Sequence, residues 1–230
     1  MSPSLIPDRV GAAIQRYGAG GLLRQLATRV RNFAYMDEEH VWYVLDTAQV
    51  PELALAEGYR LSLATDEDED KIGTLPTPVP VEEARRRRAE GNDLWFVLHG
   101  DELAFACWIF PRVAPVRAAA THQLEMPEGV VTLEDSFTSA DHRGKGIAGA
   151  AWTEIARGLG DQGVKALITK VGVENVPSRK AVTKAGFREA SVMHLRRRGP
   201  RERVSIEREP TELSPAAERA SAAIERALAR

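Results

Sequence analysis

The stretch from Val130 to Leu159 constrains this chain more than any other. An apolar strand, VVTLEDSFTS, passes through the polar tetrapeptide Ala140-Asp-His-Arg143 into GKGIAG. An amphipathic helix follows, with Ala148, Ala151, Trp152, Ile155 and Leu159 on one face. Strand, glycine-rich turn and helix N-terminus in that order make an anion site. The first helical N–H groups have no carbonyl partner, and the helix dipole adds positive potential there. Gly144 and Gly146 remove the side chains that would hold a phosphate away from those amides.

Two frames fit the same letters. Gly144, Gly146 and Gly149 spell GxGxxG, the dinucleotide fingerprint, whereas Arg143 to Ala148 spell RxxGxA, a pyrophosphate cradle. The dinucleotide frame needs a strand running straight into its first glycine and an acid at the end of the next strand. Here a polar tetrapeptide intervenes, and the next strand, VKALITKV, ends in Lys170 and Val171. Its nearest acid, Glu174, lies beyond Gly172. The second frame has every element in order, and the lysine-containing loop GxxxxGK[ST] is absent.

The rest of the chain supplies a mixed sheet. Residues 40–47 and 59–65 read as strands. Thr65 can cap a helix opening on Asp66-Glu-Asp-Glu-Asp70, a run expected either as a solvated first turn or as a rim for a cationic substrate. VEEARRRRAEG reads as a solvated polar helix, and DLWFVLHGDELAFACWIF as a hairpin turning at His99-Gly-Asp-Glu102. After the strand around 164–171, VPSRKAVTKAGF is a short helix ended by Gly186. REASVMHLRRR and RERVSIERE then close antiparallel around Gly199-Pro200. Two amphipathic helices are expected over residues 8–33, broken at Gly18-Ala-Gly-Gly21, and a C-terminal helix past residue 209, with Ser214 as cap and Pro215 at its first position.

At this point the chain resembles the GCN5-related N-acetyltransferase (GNAT) family. The resemblance rests on the order of elements (two helices after the first strand, a hairpin, a strand, the RGKGIA helix, a strand, a short helix and closing strands) over roughly residues 41–208. A second motif supports it: Asn175-Val-Pro-Ser178 followed by Lys184-Ala-Gly-Phe187 looks like the family's N-x-x-S … GF element. The fold this implies is α/β, a mixed, mostly antiparallel sheet flanked by helices. Residues 1–40 form a helical N-terminal extension, 41–208 the acyltransferase domain and 209–230 a C-terminal helix. The N-terminal piece is expected to pack on the main domain or a second subunit, the C-terminal helix has no readable role, and a homodimer stays open.

The resemblance also implies a site. Acyl-CoA, most simply acetyl-CoA, lies where the strand at 130–139 splays from the strand at 164–171. Main-chain groups of Ser136, Phe137 and Thr138 pair with the pantetheine. The run Arg143, Gly144, Lys145, Gly146, Ile147, Ala148 and Gly149 holds the pyrophosphate, and Asn175 and Ser178 form the other wall. An amine acceptor, protonated at neutral pH with a pKa of ~10.4, has to lose a proton before it attacks. The LED triplet resembles that of polyamine and glucosamine-6-phosphate N-acetyltransferases. Glu134 is therefore expected as the base, acting through water, and Asp135 in orientation or substrate contact. Strand alternation puts Glu134, Ser136 and Thr138 on one face and Asp135 on the other, provided no bulge intervenes.

One position departs from the family. Where many members carry a tyrosine seven residues after the motif asparagine, to protonate the leaving thiolate, this chain has Val182. Water, Ser178 or Thr183 are the substitutes on hand. The departure keeps open a non-catalytic acyl-CoA-binding protein beside the expected acetyl transfer to a primary amine of a small molecule. A protein N-terminus or lysine is a further acceptor.

Other features exclude more than they add. Lys and Arg number 31 against 33 Asp and Glu, a net charge of -2 that offers no field for nucleic acid. The Arg196–Arg203 cluster reads as a solvated turn. No run reaches the ~18 apolar residues of a membrane span, and no secretory signal is visible, so the cytoplasm is the default. Five arginines among residues 1–36 admit a membrane surface, but the expectation is packing onto protein. Cys107, the sole cysteine, reads as core, as do Trp42, Trp95 and Trp108. His99 and His122 read as structural, and no spacing suggests a metal site.

Overall fold

In a computed structural model, residues 35–228 are described apart from 69–70, 72–78, 117 and 120. The helices expected over 8–33 lie outside the described residues. Among the described residues, ten strands and four α-helices follow the chain order β1 (Tyr35–Asp46), β2 (Tyr59–Leu63), α1 (Val81–Ala89), β3 (Asp93–His99), β4 (Glu102–Phe110), β5 (Val113–Pro115), β6 (Gln123–Glu125), β7 (Val130–Thr138), α2 (Ile147–Asp161), β8 (Ala166–Gly172), α3 (Val176–Lys184), β9 (Arg188–Arg198), β10 (Arg201–Arg208) and α4 (Pro215–Leu228). Among the described residues, the expected strands, the helix at VEEARRRRA, the helix after the glycine loop, the short helix before Gly186 and the C-terminal helix are present. The first strand already begins at Tyr35, within the stretch read as extension, and the short pair β5–β6 was not foreseen. The acidic run after Thr65 forms a single 3-10 turn, Asp66–Asp68, in its described part.

Eight strands form one sheet in the order β10-β9-β1-β8-β7-β4-β3-β2. The β1–β8, β2–β3, β3–β4 and β4–β7 pairs are antiparallel, and β7–β8 is parallel. Alternation along the strands sorts their side chains to two faces. Val41, Tyr43, Leu45, Phe105, Ile109 and Leu133 form one core with Ile147, Trp152 and Ile155 of α2 and Val182 of α3. Trp42, Trp108, Phe110 and Thr132, intervening along the same strands, are buried outside that cluster. Helix α4, capped by the Ser214 hydroxyl at the amide of Ala217, packs against β8 and β6.

The helix ends follow local rules. Helix α1 carries Glu82 and Glu83 in its first turn and Arg86, Arg87 and Arg88 in its last, matching the helix dipole. The Asn175 side chain caps α3 by accepting from the amide of Ser178. Gly186 ends that region with φ +91, and an added Cβ would stand 2.6 Å from Pro51 Cδ, so no other residue fits there unaltered.

The chain divides into two compact units, residues 39–193 with 205–230, and residues 1–38 with 194–204. In the described part of the smaller unit, Arg197 pairs with Glu202 around the turn at Gly199, and Arg196 with Asp37. The arginine cluster there is a turn with paired charges, as its sequence suggested.

Candidate active site

Strands β7 and β8 pair over only three positions, Val130↔Ala166, Val131↔Leu167 and Thr132↔Ile168. Both run on, β7 to Thr138 and β8 to Gly172, without facing each other in the ladder. The parted strands open a cleft of about 340 Å³, lined by Glu134, Asp135 and Ser136 from β7, Thr169 and Lys170 from β8, Trp152 of α2, and Asn175, Ser178 and Val182 at α3. The edge of β7 that has lost its β8 partner is left with main-chain donors and acceptors to offer a ligand. A larger hollow of about 840 Å³, between the end of β1 and the start of α4, lies away from both the splay and the glycine loop.

A bulge sits where the cleft opens. Ala106 pairs with Phe137, but Trp108 pairs with Glu134, so Asp135 and Ser136 together oppose Cys107 alone. Asp135 takes the extra residue with φ +50, a conformation Asp tolerates better than most side chains. The bulge overturns the expected alternation. Ser136 Oγ accepts from Trp152 Nε1 at 3.2 Å, on the helix-packed face. Glu134 is beside Trp108, outside that cluster, and Asp135 bonds Arg87, which stacks over Trp108 and Phe110 at 5.3 Å from each ring. Ser136 and Glu134 therefore do not share a face, and both acids meet cations from elsewhere in the fold.

Glu134 Oε1 lies 2.7 Å from Lys170 Nζ, with the side chains 11% and 18% exposed. Burial raises the Glu134 pKa above the usual carboxylate range, against the pull of Lys170. A carboxyl shifted in that direction is a better proton acceptor than a solvated one when ionised. Asp135 Oδ2 lies 2.6 Å from Arg87 Nη1, and Arg87 also bonds Glu83. Neither cation was singled out from the sequence. For Arg87 the signal was hidden in a run of four arginines. Successive helix positions are about 100° apart, so the four cannot all face the sheet. The side chain of Arg87 is 11% exposed against 60% for Arg86.

The other end of the cleft is the glycine loop. Gly144 and Gly146 both take φ +76, and a Cβ on either would meet nothing within 4 Å, so open space stands where side chains would be. Gly146 is the N-cap of α2, with no side-chain cap. Among the described residues the backbone N–H groups of 144–149 donate to no carbonyl of a turn or loop, and the first helical bond is Ala150 N to Gly146 O. The loop's two cations are docked on the chain. Arg143 Nε donates to Thr138 O with its guanidinium over Phe137, and Lys145 Nζ lies 3.2 Å from the Tyr59 hydroxyl. The free donors here are backbone amides, which suits a pyrophosphate gripped by main chain at a helix N-terminus.

The remaining candidates fall outside this geometry. His99 stacks on Tyr59 at 4.7 Å and His122 sits in a turn with φ +57, neither lining the cleft. His40 lines it instead, and His142, buried, accepts or donates at Tyr59 Oη at 2.9 Å. Val182 is 1% exposed in the cleft wall. Of the hydroxyls weighed as its substitute, Ser178 lines the cleft and Thr183 does not. Cys107 is buried, with its thiol pKa pushed up by desolvation, which makes it inert. In the described part of the acidic run, Asp68 accepts from Thr65 and Lys71, and Asp66 pairs with Arg88.

Comparison with known proteins bears on the family and the fold. The sequence model of the acetyltransferase (GNAT) family matches residues 60–187. A GCN5-related N-acetyltransferase from Sphaerobacter thermophilus is similar in structure, with a TM-score of 0.54 at 13% identity over 92% of this chain and 72% of that one. An acetyltransferase from the GNAT family of Colwellia psychrerythraea has a TM-score of 0.51 at 17% identity, over 82% of this chain and 63% of that one. A Drosophila protein has a TM-score of 0.51 at 14% identity, over 76% of this chain and 56% of that one. The chain thus spans less than two thirds of the last two proteins. At these identities the likeness is one of fold. No curated protein matches the sequence.

Proposed function

The chain belongs to the acetyltransferase (GNAT) family, and from that premise we propose that it transfers an acetyl group from acetyl-CoA to a primary amine of a small molecule. The observation that carries the reading is the cleft itself. Its splayed strands have uncapped helix amides at one end and, beside the bulge, a buried carboxylate in contact with a cation. The residues fit acyl-CoA as a substrate. Open glycine positions and the amides of 144–149, which meet no carbonyl of a turn or loop among the described residues, would take the pyrophosphate, and the edge of β7 around Ser136, Phe137 and Thr138 that β8 does not pair the pantetheine.

When bound, acetyl-CoA supplies the thioester. The amine nitrogen attacks its carbonyl carbon, the C–S bond breaks, and the thiolate leaves. The proton lost by the amine passes to Glu134, directly or through a water. Asp135, held by Arg87, shapes the acceptor side. With Val182 in the wall, proton delivery to the thiolate falls to water or to the Ser178 hydroxyl. The four charges of the acceptor side, Glu134, Asp135, Lys170 and Arg87, cancel, so the site selects its amine by shape and hydrogen bonding more than by net field.

Thermal unfolding with acetyl-CoA, a medium-chain acyl-CoA and NADH tests the donor, and turnover with a panel of amines tests the acceptor. Stabilisation by an acyl-CoA alone, with turnover of a small amine, supports the reading. Stabilisation by NADH alone overturns it. Binding of acetyl-CoA without turnover of any amine, peptide amines included, favours a binding protein, for which Val182 already argues.

A further inference from the structure

We propose that Lys170 is the positioning residue of the base: its ammonium, seated over Trp42, holds the Glu134 carboxylate ionised and turned into the cleft. The inference rests on the reading of Glu134 as proton acceptor. It adds a residue that the glycine loop, the LED triplet and the asparagine motif do not contain.

The placement of Lys170 follows from topology. It lies two residues past Ile168, the last position of β8 paired with β7, at the point where the strands have parted. Across the other ladder it pairs with Trp42 of β1, and its Nζ lies 5.6 Å from that ring. Trp42 is fully buried. A cation over an aromatic face is attracted by the ring quadrupole, and the ring fixes where the flexible lysine stem ends. From that seat Nζ reaches Glu134 Oε1 at 2.7 Å.

The electrostatics decide what the contact does. A carboxylate as buried as Glu134 is driven to its neutral, protonated form unless a cation stands beside it. Four groups surround it. Asp135, next on β7, opposes ionisation. Arg87, from α1, favours it but is bonded to Asp135 and Glu83. His40, from β1, lines the same cleft. Lys170, from β8, bonds it directly. Removing the ammonium leaves burial and Asp135 opposed by Arg87 alone. A protonated Glu134 is too weak a base to take the amine's proton, and the reaction stops at that step. The ion pair therefore serves to keep a buried carboxyl available as a base near neutral pH.

Lys170→Met and Lys170→Arg, each made in the full chain, test this with two readouts. The first is the titration of the Glu134 carboxyl by carbon NMR on labelled glutamate, its signal identified by loss in Glu134→Gln. The second is the pH profile of kcat/KM with the amine that the panel selects. Lys170→Met should move the carboxyl midpoint and the acid limb of the profile upward together by about one unit or more. Activity at neutral pH should then fall about tenfold or more and recover as pH rises, while Lys170→Arg keeps both near their original positions. A rate that falls equally at every pH, with the midpoint unmoved, makes Lys170 merely structural and overturns the proposal. A midpoint that moves while the limb stays put overturns it too, by showing that Glu134 is not the base, whereas acetyl-CoA binding and turnover would still stand. Should Lys170→Met fail to fold, Lys170→Gln carries the same comparison, because it too removes the charge.

Discussion

Two glycines with the same backbone sign separate binding from folding. Gly146 and Gly186 both sit at positive φ, +76 and +91. Alanine at either position forces a side chain into the left-handed region, at a cost of roughly 1–2 kcal/mol. At Gly146 the new Cβ meets nothing within 4 Å, so the backbone term is the whole cost to the free protein. At Gly186 it would stand 2.6 Å from Pro51 Cδ, on a ring that cannot swing aside, and the loss should be larger, about 3 kcal/mol or more. For a chain of this size each kcal/mol moves the midpoint by about 2–4 °C. Acetyl-CoA at about a hundred times its Kd should add ~2.7 kcal/mol, a shift of about 5–11 °C. The Gly146 methyl would fill the open space proposed for the phosphates. A tenfold weaker Kd at the same ligand concentration leaves ~1.4 kcal/mol, which halves the shift to about 3–6 °C. Gly186→Ala should lower the starting midpoint more and keep the full ligand shift. Differential scanning fluorimetry of the three proteins with and without acetyl-CoA reads all four quantities. If Gly146→Ala retains the full shift, the amides of 144–149 are not the pyrophosphate cradle and the assignment of that loop fails.

Other substitutions probe the two acids and their cations. Glu134→Gln should reduce turnover by about 10²- to 10⁴-fold and leave the acetyl-CoA midpoint shift in place; loss of binding with no separate loss of turnover would contradict the base assignment. Arg87→Met removes the guanidinium over Trp108 and Phe110 and leaves Asp135 without its partner, so urea unfolding should show a loss of about 2 kcal/mol, with Arg87→Lys only partly restoring it because an ammonium cannot stack as a plane. Arg86→Met, on the exposed side of the same helix, should leave the urea midpoint essentially where it was. Asp68 has its pKa lowered to about 2 by hydrogen bonds from Lys71 and the Thr65 amide. Its folded value lies below the unfolded one, so its contribution is present above about pH 4 and is lost as pH falls toward 2. Asp68→Asn should cost about 1 kcal/mol at neutral pH and flatten the acid limb of the stability curve over that window.

Much of this was legible because local rules dominate it. Gly146 and Ser214 at helix starts, Gly186 past a helix end, and the hairpin through Gly100 and Asp101 are decided by residues within a few positions of each other. The glycine loop was legible for the same reason: a strand, two left-handed glycines and a helix start are contiguous in sequence. What escaped is what depends on distant pairing. That Lys170 meets Glu134 is a consequence of β7 lying parallel to β8 and parting from it after Thr132. That Arg87, of the four neighbours, comes to lie over Trp108 and Phe110 depends on how α1 is placed against the sheet. The short β5–β6 pair, three residues a side and flanked by prolines, carries too little pattern to be seen.

The bulge at Asp135 shows how one residue of register converts a sheet edge into a site. In an unbroken ladder Glu134 and Ser136 would point the same way, and a hydroxyl held by Trp152 and a carboxylate held by Lys170 could not both exist on that strand. The extra residue lets Ser136 turn to the helix-packed face while Glu134 and Asp135 meet their cations. A non-glycine residue at positive φ costs of order 1–3 kcal/mol and persists only where its surroundings hold it. Here the hold is the Arg87 pair on Asp135 and the resumed ladder of Phe137 and Thr138 with Ala106 and Phe105. Local strain in β7 is thus offset by bonds on either side of it, and it lies at the point where the parted strands need their two faces to do different chemistry.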